Sequence, residues 1–249
     1  MAIKKFQLEL KSARMVTPRV RELTFARADG TPIDYQPGQF LTLNLPGEEE
    51  GKILRRSYSI ASIPQQEGGE AQVSVAVTHV DGGRATRQLF AMEPGDQAEA
   101  VGPFGRFVLR DEEPCRYLLV ATGTGVTPYR AMLPELERRV KEEGFRVELF
   151  LGVRKPEELL YGEDFQSSAD RHEGFNFHPC FSRELPEDPG PLVQKGYVQD
   201  ILETVNPDPE NDVVYLCGNP EMIDIAAGRL READFPVGNI RREKYVSSN

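Results

Sequence analysis

Tyr117-Leu118-Leu119-Val120-Ala121-Thr122-Gly123-Thr124-Gly125-Val126-Thr127-Pro128 is the stretch that decides the fold. Its continuous apolar start reads as a strand buried on both faces, as in a parallel sheet. The strand runs into a Gly-x-Gly turn. Pro128 suits the first turn of a helix, where its missing N–H would have no partner anyway. Strand, glycine turn and helix N-terminus form the βα unit that brings backbone amides to a pyrophosphate. The full Gly-x-Gly-x-x-Gly fingerprint is absent, because Thr127 and Pro128 follow the second glycine. The position directly after a strand is what gives the shorter motif weight.

The same regime continues toward the C-terminus. A helix is expected from 128 to about 143, a second apolar strand over 147–153, a strand-like stretch over 176–181 and a further strand over 213–216. Cys217-Gly218-Asn219-Pro220 follows, and then a helix over 221–233. Buried strands alternating with helices predict a Rossmann-like α/β domain with a parallel sheet. Toward the N-terminus, past Asp111-Glu112-Glu113-Pro114, the period changes. Segments 6–10, 20–25, 40–45 and 73–78 are short and β-rich. Turns at Pro37-Gly38, Gly68-Gly69, Gly82-Gly83 and Pro94-Gly95 separate them. That spacing predicts an antiparallel β-barrel. The expected division is a barrel over 1–112 and an α/β domain over 113–249.

Composition narrows the function. The 249 residues carry 30 Lys and Arg against 40 Asp and Glu, a net charge of −10. That balance argues against general nucleic-acid binding, which needs a basic surface. No apolar run approaches the length that spans a bilayer, and the N-terminus lacks the apolar core of a signal peptide. Three scattered cysteines, Cys115, Cys180 and Cys217, suggest a reducing, cytoplasmic setting with neither a disulfide framework nor an iron–sulfur centre. His79, His172 and His178 show no metal-ligand spacing. A monomer is expected.

Two motifs in the barrel carry chemistry. Arg56-Ser57-Tyr58-Ser59 supplies the groups a flavin asks for: a planar cation for its pyrophosphate, an aromatic ring to stack on the isoalloxazine, and a hydroxyl near the reactive nitrogen. The plain alternative is a strand with an exposed Arg and a core Tyr. Gly82-Gly83-Arg84-Ala85-Thr86 reads as glycines opening a short helix that cradles phosphate; the alternative is a hairpin turn with a helix cap.

Together these residues resemble the ferredoxin–NADP reductase family. The resemblance runs through Arg56-Ser57-Tyr58-Ser59, Gly83 to Thr86, Gly123-Thr124-Gly125-Val126-Thr127-Pro128 and Cys217-Gly218-Asn219-Pro220-Glu221-Met222, in the family's order and spacing. It implies an FAD-binding barrel followed by an NADP-binding α/β domain. By resemblance Arg56 holds the FAD pyrophosphate, Tyr58 stacks on the flavin and Ser59 lies by its N5, with Gly83, Ala85 and Thr86 around phosphate. Gly123, Thr124, Gly125, Thr127 and Pro128 belong to the NADP side, and Cys217 approaches the nicotinamide. Glu243 and Tyr245 look like the family's C-terminal acid and flavin-covering aromatic, although Val246-Ser247-Ser248-Asn249 follow here. The alternatives are a buried strand-end thiol for Cys217 and a plain surface residue for Tyr245.

Ser182-Arg183 followed by Lys195-Gly196-Tyr197 is similar to the 2′-phosphate and adenine site of NADP-dependent members. Ser182 donates a hydroxyl, Arg183 pairs with the phosphate and Tyr197 stacks on adenine, with Lys195 and Arg154 as further cations. The alternative is that Arg183 is a solvated loop charge. The implied reaction is hydride transfer from NADPH to FAD, shaped by Ser59, Cys217 and Glu243, then single-electron transfer to ferredoxin or flavodoxin. Such carriers are usually acidic, so a local positive rim is expected from Lys4, Lys5, Lys11 and Arg14 or from Arg19 and Arg21. Competing readings are a reductase component of an oxygenase, a free-flavin reductase, an FAD-bearing electron-transfer subunit and a dinucleotide sensor.

Overall fold

The computed structural model describes residues 5–47, 49, 51–65 and 69–246. Lys4, Gly68 and the 247–249 tail, which enter the expectations above, lie outside the described residues. The chain divides into one unit ending at Leu109 and a second beginning at Arg110. This division precedes the expected 112/113 boundary, because 110–112 is tied to the second unit. Arg139 donates to the Arg110 carbonyl at 2.7 Å, and the Glu112 carboxylate pairs with Arg241.

The first unit contains β1 (Lys5–Thr17), β2 (Val20–Arg27), β3 (Phe40–Pro46), β4 (Ile53–Ser59), β5 (Val73–Thr78) and β6 (Gln97–Phe104), with α1 (Arg84–Ala91) between β5 and β6. The strand order is β4-β3-β6-β1-β2-β5, every neighbour antiparallel. The Ile60–Val75 bridge and the Ala61 N–H bond to the Ser74 carbonyl at 2.7 Å join the two edges, so the sheet closes on itself. Alternate residues point inward, as the pleat requires. Leu8, Leu10, Leu23, Phe25, Leu41 and Leu43 fill the interior, and Ala85 and Leu89 of α1 pack into the same core.

The second unit holds β7 (Arg116–Thr122), β8 (Arg146–Val153), β9 (Phe175–Phe181), β10 (Gln194–Lys195), β11 (Asp212–Gly218) and β12 (Ile240–Lys244), all parallel, in the order β10-β9-β8-β7-β11-β12. The helices are α2 (Thr127–Arg138), α3 (Gly162–Arg171), α4 (Val198–Ile201) and α5 (Pro220–Glu232). From β7 the chain builds β8, β9 and β10 to one side, then returns to build β11 and β12 on the other. The order therefore reverses between β7 and β11, where open α/β sheets bind ligands beyond the strand C-termini.

Both faces of this sheet are buried. Leu118, Val120, Val214 and Leu216 pack against Met222, Ile223, Ala226 and Leu230 of α5. The alternate residues Tyr117 and Tyr215 lie on the other face, toward α2, where the buried Tyr129 hydroxyl donates to the Val120 and Tyr215 carbonyls at 3.1 and 2.8 Å. The helix expected to reach about 143 is α-helical only to Arg138. Arg139–Glu143 winds as a π-helical turn, with Arg139 buried and donating to the Tyr117 hydroxyl at 2.6 Å.

Among the described residues, each cation expected to build a positive rim on the first unit has a partner. Lys5 pairs with Glu99 at 3.1 Å, Lys11 with Glu9 at 2.5 Å, and Arg14 with Glu22 at 2.8 Å. Arg19 pairs with Asp81 at 3.0 Å. Arg21 donates to the carbonyls of Leu89, Phe90 and Met92 at the end of α1, which the helix itself leaves without partners. These cations neutralise neighbouring carboxylates or cap a helix.

Candidate functional site

In the first unit, β4 presents its motif through the pleat. Arg55 and Ser57 are exposed, whereas Arg56 and Tyr58 are half-buried on the opposite side and Ser59 is buried. Tyr58 packs against the barrel core. Burial pushes its phenol up to about 12 against the opposing pull of the Arg56 charge, so it is neutral at pH 7. The helix motif lies nearby: Gln88 donates to the Pro46 carbonyl at 2.8 Å, and Pro46 is the register partner of Ile53 at the start of β4.

Gly83 precedes α1, whose N-terminus has no side-chain cap. A Cβ at Gly83 would sit 2.8 Å from Thr86 Oγ1 and 2.9 Å from the Val80 side chain and carbonyl, so this cradle admits only glycine. Thr86 is buried, and its hydroxyl bonds the Gly83 carbonyl at 3.1 Å and the Val80 carbonyl at 3.3 Å. It therefore shapes the turn from within, and the backbone amides are what the turn offers a phosphate. Arg56, Tyr58 and an uncapped helix start behind a glycine are a donor set that fits FAD.

In the second unit, the β7 and β11 exits interlock. Gly123 has φ of 52° with open space where a Cβ would point. Gly125 was expected to admit phosphate, yet its missing Cβ faces protein: a methyl there would lie 2.4 Å from the Cys217 carbonyl oxygen and 2.7 Å from Gly218 Cα. Gly218, at φ of 119°, is packed the same way on Thr122. Thr122 Oγ1 accepts from the Asn219 N–H at 2.9 Å, and Asn219 caps α5 by accepting from the amides of Glu221 and Met222. Thr127 is buried and donates to the Thr124 carbonyl at 2.6 Å, and Pro128 is buried beside it, so both brace the turn. Thr122 and Asn219 received no role from the sequence. The cap signal was present, because Asn before a Pro and Glu is a common helix start.

Three of the expected residues converge here. Cys217 is the register partner of Glu243, and the Tyr245 N–H donates to the Gly218 carbonyl at 2.8 Å. Cys217 is fully buried. Burial pushes its thiol well up, the nearby Glu243 carboxylate adds to this, and a hydrogen bond with the Tyr245 side chain works against it. It is therefore a neutral thiol, suited to contact rather than nucleophilic attack.

The remaining candidates gather along the C-terminal ends of β8, β9 and β10. Val153, Phe181 and Lys195 are in register, so Arg154, Ser182 and Gly196 leave the sheet at one level. Ser182 N–H donates to the Val153 carbonyl at 3.0 Å, and Arg183 N–H to the Arg154 carbonyl at 3.0 Å. Tyr197 is 63% exposed and precedes α4. Among the described residues, Arg183 and Lys195 have no ion-pair partner. Arg154 pairs with Glu158 at 3.0 Å, and Lys155 with Glu184 at 3.5 Å.

Comparison with known proteins agrees with this architecture. Residues 7–109 match the oxidoreductase FAD-binding domain, and residues 119–228 the oxidoreductase NAD-binding domain. The chain is 34% identical to ferredoxin–NADP reductase B of Sorangium cellulosum, covering 96% of this chain and 97% of that protein. It is 28% identical to the toluate 1,2-dioxygenase electron transfer component of Pseudomonas putida, covering 98% of this chain and 68% of that protein. A Neisseria gonorrhoeae ferredoxin–NADP(+) reductase solved with FAD and NADP shares the fold at a TM-score of 0.79 and 20% identity, covering 97% of this chain and 98% of that one. With its closed barrel, its sheet reversal between β7 and β11 and this end-to-end match, the chain belongs to the ferredoxin–NADP reductase family and is an oxidoreductase that binds FAD and a nicotinamide dinucleotide.

Proposed function

We propose that the chain takes hydride from NADPH and passes single electrons to a separate carrier protein of the ferredoxin or flavodoxin type. The observation that carries the NADP reading is the pair of cations with no ion-pair partner among the described residues, Arg183 and Lys195, beside the Ser182 hydroxyl at the strand ends. A phosphate dianion needs such charge, whereas the plain ribose of NAD does not. The end-to-end relative, itself named a ferredoxin–NADP reductase, supports the carrier class.

Bound FAD supplies the conversion between a hydride pair and single electrons. The chain's own residues bind and orient. Arg56 and the α1 amides hold the pyrophosphate, and the neutral Tyr58 ring offers a face for stacking. Gly123 to Gly125 present the α2 amides to the dinucleotide phosphates. Cys217, Glu243 and Tyr245 shape the pocket at the β11 exit, and Ser59 lies on the flavin side. A second reading is favoured by the dioxygenase electron transfer component among the relatives: the accepting carrier is the iron–sulfur centre of an oxygenase.

Anaerobic titration of the purified protein with NADPH tests the core of this reading. A yellow protein bleached by about one equivalent per flavin is expected; a correctly folded chain that neither retains nor takes up FAD overturns it. Parallel assays with ferredoxin, flavodoxin and an oxygenase iron–sulfur protein separate the carriers. Arg183→Ala is expected to lower kcat/KM for NADPH by roughly tenfold or more while leaving that for NADH nearly unchanged. Equal losses with both dinucleotides would remove Arg183 from the 2′-phosphate site.

A further inference from the structure

Of the four cations at the ends of β8 and β9 and in β10, two are already neutralised. Glu158 does this to Arg154. Its carboxylate accepts from the Arg154 backbone N–H at 3.0 Å and from Nε at 3.3 Å, and it lies 3.0 Å from Nη2. The pair spans the Pro156–Glu158 turn, and the Glu158 side chain is only 24% exposed. The backbone bond keeps the carboxylate in place even when the guanidinium swings away. A dianionic phosphate approaching Ser182, Arg183 and Lys195 therefore meets a fixed negative charge beside Arg154, where an unpaired Arg154 would have attracted it.

We propose that Glu158 is a specificity-determining residue: its carboxylate withholds Arg154 from the 2′-phosphate and opposes that phosphate, so the chain prefers NADP(H) over NAD(H) less than its cations allow. This rests on the assignment of Ser182, Arg183 and Lys195 to the 2′-phosphate. Glutamine at 158 keeps the size of the side chain and an oxygen for the Arg154 N–H, so Glu158→Gln removes the charge and spares the turn.

The test compares FAD-loaded wild type, Glu158→Gln and Arg183→Ala. Calorimetry gives Kd for adenosine 2′,5′-bisphosphate and adenosine 5′-monophosphate, and steady-state kinetics give KM and kcat with NADPH and NADH. Glu158→Gln is expected to tighten the bisphosphate about threefold to fivefold, the scale of a partly exposed charge interaction. KM for NADPH falls by the same factor with kcat unchanged. The monophosphate and NADH do not respond, and the gain shrinks in high salt. Unchanged or weaker bisphosphate binding in Glu158→Gln, with Arg183→Ala still weakening it, overturns the role of Glu158 and leaves the site standing. No effect of Arg183→Ala on bisphosphate binding overturns the site itself and this inference with it.

Discussion

Gly125→Ala is expected to lower the stability of the second unit by about 3 kcal/mol and to weaken NADPH binding at least tenfold. The new Cβ would lie 2.4 Å from the Cys217 carbonyl oxygen, 2.6 Å from its carbon and 2.7 Å from Gly218 Cα. All three atoms are backbone, so no side chain can rotate out of the way, and the β7 and β11 exits must part. Those exits carry the Gly123 to Gly125 turn on one side and Cys217 with the Asn219 cap of α5 on the other. Gly123→Ala is the control. It meets open space and bears only the cost of a left-handed backbone, about 1 kcal/mol. Thermal unfolding followed by circular dichroism, with NADPH titration of each variant, reads both effects. A Gly125→Ala protein with wild-type melting and wild-type NADPH affinity would show that the two exits are not in contact.

Removing the Glu112 carboxylate is expected to cost about 3 kcal/mol, because it strands a buried arginine. Arg241 sits on β12 with its side chain 7% exposed, pairs with Glu112 and bonds the Tyr215 hydroxyl. Its Nε already has no partner among the described residues, so little local capacity remains to absorb the loss of Glu112. Glu112 also accepts from the Tyr117 hydroxyl at 3.2 Å, and that hydroxyl accepts from Arg139. Chemical denaturation of Glu112→Met, Arg241→Met and the double variant Glu112→Met/Arg241→Met separates an uncompensated charge from lost packing. The single variants are expected to be clearly less stable than the double, since apolar replacement of both partners removes the desolvation cost along with the attraction. A double variant as unstable as the sum of the singles would refute the charge explanation.

Much of the architecture was legible because its signals are local. Period-two alternation marks the barrel strands, and continuous apolar runs mark β7, β8 and β11. The Arg56-to-Ser59 and Gly123-to-Pro128 segments carry their own chemistry within a few residues. The misses are equally instructive. The helix expected to run to about 143 changes its winding at Arg139, because that side chain turns inward to Tyr117 and the Arg110 carbonyl. Lys5, Lys11, Arg14, Arg19 and Arg21 looked like a rim only while their partners were out of sight.

The amino-acid order alone thus determined a barrel followed by a parallel α/β sheet, two glycine turns that each open a helix and the residue types gathered around them, because hydrophobic period and glycine or proline placement act within a few residues. The tertiary structure decided which of those residues are available. Glu112 reaches Arg241 across a sequence separation of 129, Gly125 spends its missing Cβ on Cys217, and of the four cations at the ends of β8 and β9 and in β10, Arg154 and Lys155 are paired while Arg183 and Lys195 have no ion-pair partner among the described residues. Such pairings depend on which strand ends lie side by side, and that adjacency arises from the reversal of strand order between β7 and β11 rather than from any local run of residues.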